Sequence, residues 1–557
     1  MTLDKLFGEL RSLLSGKVFD PNDRDKLLDL VHDAIRLDPE GYAEKWLPYL
    51  EGSRIEWPVP FATLQNPETV ARWAEILPFA TFALDLQHND YTWEGRSAED
   101  GERPFGIPFE HIRELRLDSL RTKPNTLSIL FNAPGMKHVT ELCFDAHHPD
   151  PRWKDEISQG TLDILCRATY LHRIERLTLE HNLIHGTQLP PLLRSRVMRG
   201  VKVLILDQNN IGNQGLLDLV TSPNAEHLRV LGLRDNNITD LAALATQAVC
   251  TELESLSLDR NPIGDNGAVK LAASQLKKLD MLSLEHCDIG DRGLEALWRS
   301  NTLRPPHTLD LATNHITHDA MAAFAQSAWT SRLIHLDVSN NNLDARGFGA
   351  LHGAPMLRQL ETLKAANWGQ ISTPLDITVE LLEQLDPNKI TTLDLSGTTI
   401  GEDGARIIAQ MSALQSLKLN GAHVTEGGVR ALANAPNLAN LEVLELDNNN
   451  ITDPSAVALA TSPHLSNLRK LSLFNNRIGD SGMIAFTREG SLPRLEFLNM
   501  ISNYVGEDAS KVLLESEAIR RLRVLYLVAN PLSNGRAQEL ERVLSPYMNI
   551  SCIQRLG

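Results

Sequence analysis

The sequence predicts an α/β solenoid, with short parallel strands stacked along a concave face, helices on the convex face in a curved horseshoe, and a small helical region in front. Three observations predict it. A frame of the form LxxLxLxxNxI recurs through most of the 557 residues. Its copies keep a nearly fixed spacing, which marks units that stack on one another. A stretch with helical spacing of apolar residues follows each copy.

Clear copies are VKVLILDQNNI from Val201, LRVLGLRDNNI from Leu228, LESLSLDRNPI from Leu253 and LEVLELDNNNI from Leu441. Others start at Ile112, Val139, Ile174, Leu279, Pro306, Leu333, Leu360, Ile390, Leu414, Leu468, Leu495 and Leu522, with a weaker one at Thr81, giving about 17 units. From Ile174 onward the starts differ by 27, 27, 25, 26, 27, 27, 27, 30, 24, 27, 27, 27 and 27 residues.

The LxL alternation is a short strand with both leucines on one face. No single unit can bury that face, so units come in arrays. The Asn after the strand turns the chain from inside the coil, and its amide needs partners in neighbouring coils because an unpaired buried amide is costly. The expected ladder is Asn182, Asn209, Asn236, Asn261, Asn314, Asn341, Asn449, Asn476, Asn503 and Asn530, with Asn89 at the front. Cys287 and Thr398 are small substitutes in that slot, whereas Trp368 and Ala422 break the ladder. The second half of a unit, such as IGDNGAVKLAASQL after Asn261, reads as helix. An Asp or Thr near its start caps it, and the Gly of the G-D-x-G-A pattern leaves room at a tight turn.

These LxxLxLxxNxIGDxGAxxLA units resemble the ribonuclease-inhibitor-like class of leucine-rich-repeat proteins. They are also similar to bacterial arrays of that type and to the repeats of Ran GTPase-activating proteins. The resemblance spans roughly residues 81 to 545. It implies a solenoid with strands on the concave side, and a range of binding functions that includes inhibitors, scaffolds and GTPase activators.

Five stretches depart from the frame. Residues 1–75 read as short amphipathic helices punctuated by Pro39, Pro58, Pro60 and Pro67, either a cap on the first repeat or a docking module. The solenoid, 76–545, is irregular near 89–106, 145–162 and 360–392, and 546–557 form a tail. His147, His148 and Asp150 lie in the second irregular stretch, but nothing marks a further ligand, so no metal and no cofactor are expected.

A net charge of −17 argues against nucleic acid and anionic membrane surfaces as partners. The five cysteines are widely spaced with no CxxC, which fits a reducing, cytoplasmic setting. The N-terminus lacks a signal-peptide core, and no apolar run is long enough to span a bilayer. Walker, HExxH and GxSxG frames are absent, so an enzyme is not expected.

Side chains flanking the strand leucines point outward on the strand side. The column after the second leucine opens acidic and closes apolar. Together with the column between the leucines it yields an acidic wall of Asp118, Asp145, Glu180, Asp207, Asp259, Glu285, Asp310 and Asp337, tempered by Arg116, Arg176 and Arg234. Near the C-terminus it yields an aromatic patch of Phe474, Phe497, Ile501, Tyr526 and Val528. Exposed apolar surface of this kind marks contact sites. The expected function is a protein-interaction scaffold or inhibitor, its partner basic or bearing an exposed apolar element. A regulator of a small GTPase and a structural component of an assembly are the alternatives.

Overall fold

A computed structural model describes residues 30, 63–64, 82–85, 109–118, 124–145, 159–246, 250–343, 349, 351–366 and 375–552. The chain forms two compact units, one of residues 1–238 with 246–257 and one of 239–245 with 258–557.

The first unit holds β1 (Thr63–Leu64), β2 (Phe82–Asp85), β3 (Ile112–Asp118), β4 (Glu141–Asp145), β5 (Arg176–Thr178), β6 (Val203–Ile205), β7 (Val230–Gly232) and β8 (Ser255–Ser257). Each pairs in parallel with the next. Helices such as Pro124–Phe131, Gln159–Arg167 and Gly212–Thr221 alternate with the strands.

The second unit holds β9 (Met281–Ser283), β10 (Thr308–Asp310), β11 (His335–Asp337), β12 (Thr362–Lys364), β13 (Thr392–Asp394), β14 (Ser416–Lys418), β15 (Val443–Glu445), β16 (Lys470–Ser472), β17 (Phe497–Asn499), β18 (Val524–Tyr526) and β19 (Asn549–Ser551). These too pair in parallel in chain order. Helices Gly264–Ala272, Asp291–Trp298, His318–Ala325, Gly401–Ile408 and Glu426–Ala433 follow their strands.

The strands are short because the coil must turn away once its leucines are buried. Leu282, Leu309, Leu336, Leu363 and Leu393 stand in register on adjacent strands, each at most 1% exposed. Behind each strand the ladder position closes the coil. Asn209 accepts the Asn182 and Ile184 N–H groups through Oδ1 (3.1 and 2.9 Å) and donates from Nδ2 to the Leu179 and Leu206 carbonyls (both 2.8 Å). Asn236 accepts from Ile211 in the preceding coil. In the second unit Asn261, Asn314, Asn341, Asn449, Asn476, Asn503 and Asn530 donate to carbonyls in the same way.

The substitutes behave according to their chemistry. Cys287 donates its thiol to the Leu258 carbonyl at 3.2 Å, and Thr398 its hydroxyl to the Leu395 carbonyl. Ala422 offers no side-chain acceptor, and the Ile400 N–H bonds the Ala422 carbonyl instead (2.9 Å). Trp368, Asn89 and the His147–Asp150 cluster lie outside the described residues, as does nearly all of 1–75. Within that region Thr63–Leu64, between the stretches read as helices, form a strand opposite Ala83 and Leu84. Beyond position 545 the sheet continues, because the alternation of Met548, Ile550 and Cys552 sets Ile550 beside Leu525.

Candidate partner-binding surface

Within the first unit Asp118 and Asp145 are register partners at the ends of β3 and β4. Glu180 lies half-buried, 3.6 Å from His181 Nδ1. Asp207 accepts the Arg234 backbone N–H at 2.9 Å, so one of its oxygens completes the strand ladder. Glu114 and Glu141 pair with Arg116 and Arg176 at 2.5 and 3.2 Å.

Within the second unit the residues between the leucines line up across the whole sheet. In register order they run Ser283, Asp310, Asp337, Lys364, Asp394, Lys418, Glu445, Ser472, Asn499 and Tyr526. A trough of about 650 Å³ opens over this row between Glu285 and Asn448.

Most polar side chains here also serve the backbone. Buried amide groups need partners, and the N–H of most residues after the second leucine finds one of two. The equivalent residue of the preceding coil accepts it where that side chain can. Asp259 accepts from Glu285 (2.9 Å), Ser339 from Ala366 (3.1 Å), Ser396 from Asn420 (3.2 Å), Asn420 from Asp447 (2.9 Å) and Asp447 from Phe474 (2.7 Å). Where the preceding residue is Ala or Phe, the residue between the leucines accepts instead. Asp337 takes the Ser339 N–H (3.0 Å), Asp394 that of Ser396 (3.0 Å) and Asn499 that of Ile501 (3.1 Å). Asp310 also accepts from Ala312 (2.8 Å), although there the preceding coil presents Glu285. Part of the acidic column is therefore committed to the fold. Asp259 is only 8% exposed and also accepts from the Ser283 hydroxyl.

The electrostatics follow from who stands beside whom. Burial, reinforced by the neighbouring Asp337 carboxylate, pushes the Asp310 carboxyl up to about 7. Burial also raises Asp447, although the Ser472 hydroxyl works against it. For Glu445 burial acts upward, but hydrogen bonds from Lys470 and Asn420 and the charge of Lys418 outweigh it and hold the carboxyl below the usual range. Lys364 reaches Asp337 at 3.3 Å, while Lys418 and Lys470 converge on Glu445 at 3.8 and 2.7 Å. These three lysines are absent from the acidic wall read from sequence. Their signal was legible, since Lys364 and Lys418 occupy the column between the leucines.

The C-terminal end of the same face is apolar. Phe474, Phe497, Ile501, Tyr526 and Val528 are all half-buried. The Phe497 and Tyr526 rings meet edge to face with centroids 5.6 Å apart, and Lys470 Nζ stands 5.3 Å from the Phe497 centroid. Among the described residues, no group of His, Cys, Asp and Glu is arranged to hold a metal ion, and no helix is long and apolar enough to cross a membrane.

Six stretches, 224–245, 249–272, 276–297, 387–409, 437–460 and 464–486, match a family model described as a leucine-rich repeat. The chain carries leucine-rich repeats. No curated protein matches its sequence. Among solved structures, an internalin from Listeria monocytogenes is similar at 20% identity, over 67% of this chain and 94% of that one, with a TM-score of 0.41. A leucine-rich-repeat protein of Leptospira interrogans is similar at 19% identity, over 80% and 96%, with a TM-score of 0.39. The yeast Rad7 and Elc1 complex contains a chain similar at 16% identity, over 69% and 80%, with a TM-score of 0.39.

Proposed function

We propose that the chain is a non-enzymatic protein-interaction module that grips a partner on its strand face. One observation carries the reading. Five half-buried apolar residues, Phe474, Phe497, Ile501, Tyr526 and Val528, gather on a sheet face, where ordinary surface would be polar. Paired aromatics supply large contact area at low entropic cost. Leucine-rich repeats in general mediate protein–protein interaction. The regular alternation of strand and helix supports a ribonuclease-inhibitor-like arrangement of units, and the burial of Cys250, Cys287 and Cys552 as core side chains supports a reducing, cytoplasmic setting.

Cross-linking in the native cell, followed by capture and mass spectrometry, tests the proposal. Phe497→Ala combined with Tyr526→Ala is expected to reduce recovery of a specific partner at least about tenfold, the loss of roughly 1.4 kcal/mol or more typical of interface aromatics. Circular dichroism of the double variant should match that of the parent. Unchanged recovery of every specific partner would sink the reading.

A further inference from the structure

The row of side chains on the second unit's strand face holds its charges in an unequal pattern. Asp337 is matched by Lys364, and Glu445 by Lys418 and Lys470. Asp310 and Asp394 belong to the same row, and among the described residues neither has an ion-pair partner. Each is held in place by the backbone. Asp310 accepts the Ala312 N–H, and Asp394 accepts both the N–H and the hydroxyl of Ser396 (2.7 Å to the hydroxyl), all through Oδ1. Among the described residues Oδ2 of each has no hydrogen-bond or ion-pair partner, and both residues line the trough. A fixed carboxylate oxygen facing open space is pre-organised for a cation, since no ordering is left to do on binding.

The register sets the spacing. Asp310 and Asp394 lie on β10 and β13, three strand steps apart, or about 14 Å at roughly 4.8 Å per step. An extended chain covers about 13 Å in four residues and returns its side chains to the same side at even steps. From β13 to β18, five further steps, is about 24 Å, for which eight residues, about 26 Å, is the nearest even step.

Building on the protein-binding reading above, we propose that the occupant of this face is an extended segment of a partner protein that seats two cationic side chains, four residues apart, on Asp310 and Asp394 and places an apolar side chain eight residues further on against Phe497 and Tyr526. Charge complementarity selects the segment. Among the described residues the first half of the row offers two carboxylates with no ion-pair partner, set either side of the Asp337–Lys364 pair, its far end offers aromatic rings, and Glu445 with Lys418 and Lys470 stands between. An acidic segment meets repulsion at the first end, and a purely apolar one leaves both carboxylates desolvated and unpaired, which is unfavourable.

The experiment uses the full chain and synthetic 13-residue peptides followed by fluorescence anisotropy. The matched peptide carries Lys at positions 1 and 5 and Leu at position 13, with Ser and Thr elsewhere. It is expected to bind about tenfold more tightly than a peptide with Lys at positions 1 and 3, and a Glu-for-Lys version is expected not to bind. Asp310→Asn with Asp394→Asn should abolish the preference between the two lysine spacings. Asn retains the acceptor for Ala312 and Ser396, so the fold is preserved, and circular dichroism checks this. Equal affinity for both spacings, absence of binding by the matched peptide, or indifference to the double Asn variant would overturn the inference. If partner recovery falls with Phe497→Ala plus Tyr526→Ala but not with the Asn pair, the two-cation inference fails while the protein-binding reading stands. If neither variant lowers it, both fail.

Discussion

Asn476 shows how one side chain closes a coil. Its Oδ1 accepts the Asn449 and Ile451 N–H groups (3.0 and 2.9 Å), and its Nδ2 donates to the Leu446 and Leu473 carbonyls (both 3.0 Å), in a site 5% exposed. Asn476→Ala strands buried groups on two coils at once. It is expected to cost about 3 kcal/mol, given 1–3 kcal/mol per unsatisfied buried group, as measured by urea unfolding. A loss within the error of that measurement would mean that water replaces the amide. Asp310 offers a second residue-level test, through pH. Its carboxyl moves from an ordinary 3.8 to about 7 in the folded chain. Because the folded pKa is the higher one, the folded state binds the extra proton. Its contribution to stability is thus full below pH 3.8 and is lost as pH rises through about 7. Asp310→Asn cannot titrate, so its stability relative to the parent should climb between those limits. Parallel stability–pH curves for the two proteins would refute that assignment.

At the scale of the helix, the capping carboxylate serves its neighbour. Sequence reading gives the Asp of the G-D-x-G-A pattern to its own helix. Asp265, in the first turn of Gly264–Ala272, instead accepts the N–H groups of Gly290 and Gly293 at the start of the next helix, at 2.8 and 2.9 Å. Asp453 and Asp480 do the same for Gly479 and Gly506, and Asp291 for Thr317. The glycine follows from this. A Cβ at Gly293 would stand 2.7 Å from Asp265 Oδ1 and 2.8 Å from Ile289 Cγ2. Asp265→Ala should therefore destabilise by about 1–2 kcal/mol, the usual loss of a helix cap, and Gly293→Ala should act on the same bond. The two together are expected to cost less than the sum of their separate effects, because they break one shared interaction. Additive losses in denaturant unfolding would argue that cap and glycine act independently. A residue in the left-handed region before each ladder position recurs as well, as at Gln208, Thr313, Asn448 and Ser502 (φ 54 to 58°). Its N–H reaches the next coil's strand, as from Gln208 to the Arg234 carbonyl and from Thr313 to that of Ser339.

Across the whole molecule the formal charge of −17 sets the terms for association. Surface charges are screened over about 8 Å at physiological ionic strength, so an exposed ion-pair contribution fades with salt. Partner capture through the acidic end should weaken as salt is raised, whereas the apolar contribution of Phe497 and Tyr526 should persist. Capture by the Asp310→Asn and Asp394→Asn double variant is therefore expected to depend less on salt than capture by the parent, read from affinity at low and high ionic strength. Identical salt dependence would place the electrostatic contact elsewhere, for instance on Glu180 and Asp207 of the first unit.

By itself the sequence determined the coil. A leucine every third and second position, an Asn after the strand and a period near 27 leave one way to bury the apolar face, which is to stack the next coil upon it. It also made the two outward columns legible, and with them the acidic and aromatic ends of the candidate surface. Tertiary structure decided what each polar side chain does there. Asp259 and Asp394 are both acidic residues of the outward columns, yet Asp259 is 8% exposed and accepts from Ser283 and Glu285 of the next coil, while Asp394 accepts from Ser396 of its own coil and lines the trough. The difference lies 24 to 30 residues away, in what the neighbouring coil presents: Ser283 and Glu285 after Asp259, and Ala366, which offers no side-chain acceptor, before Ser396. A backbone N–H takes its partner from whatever stands beside it in space, and a repeat read one unit at a time does not contain that neighbour.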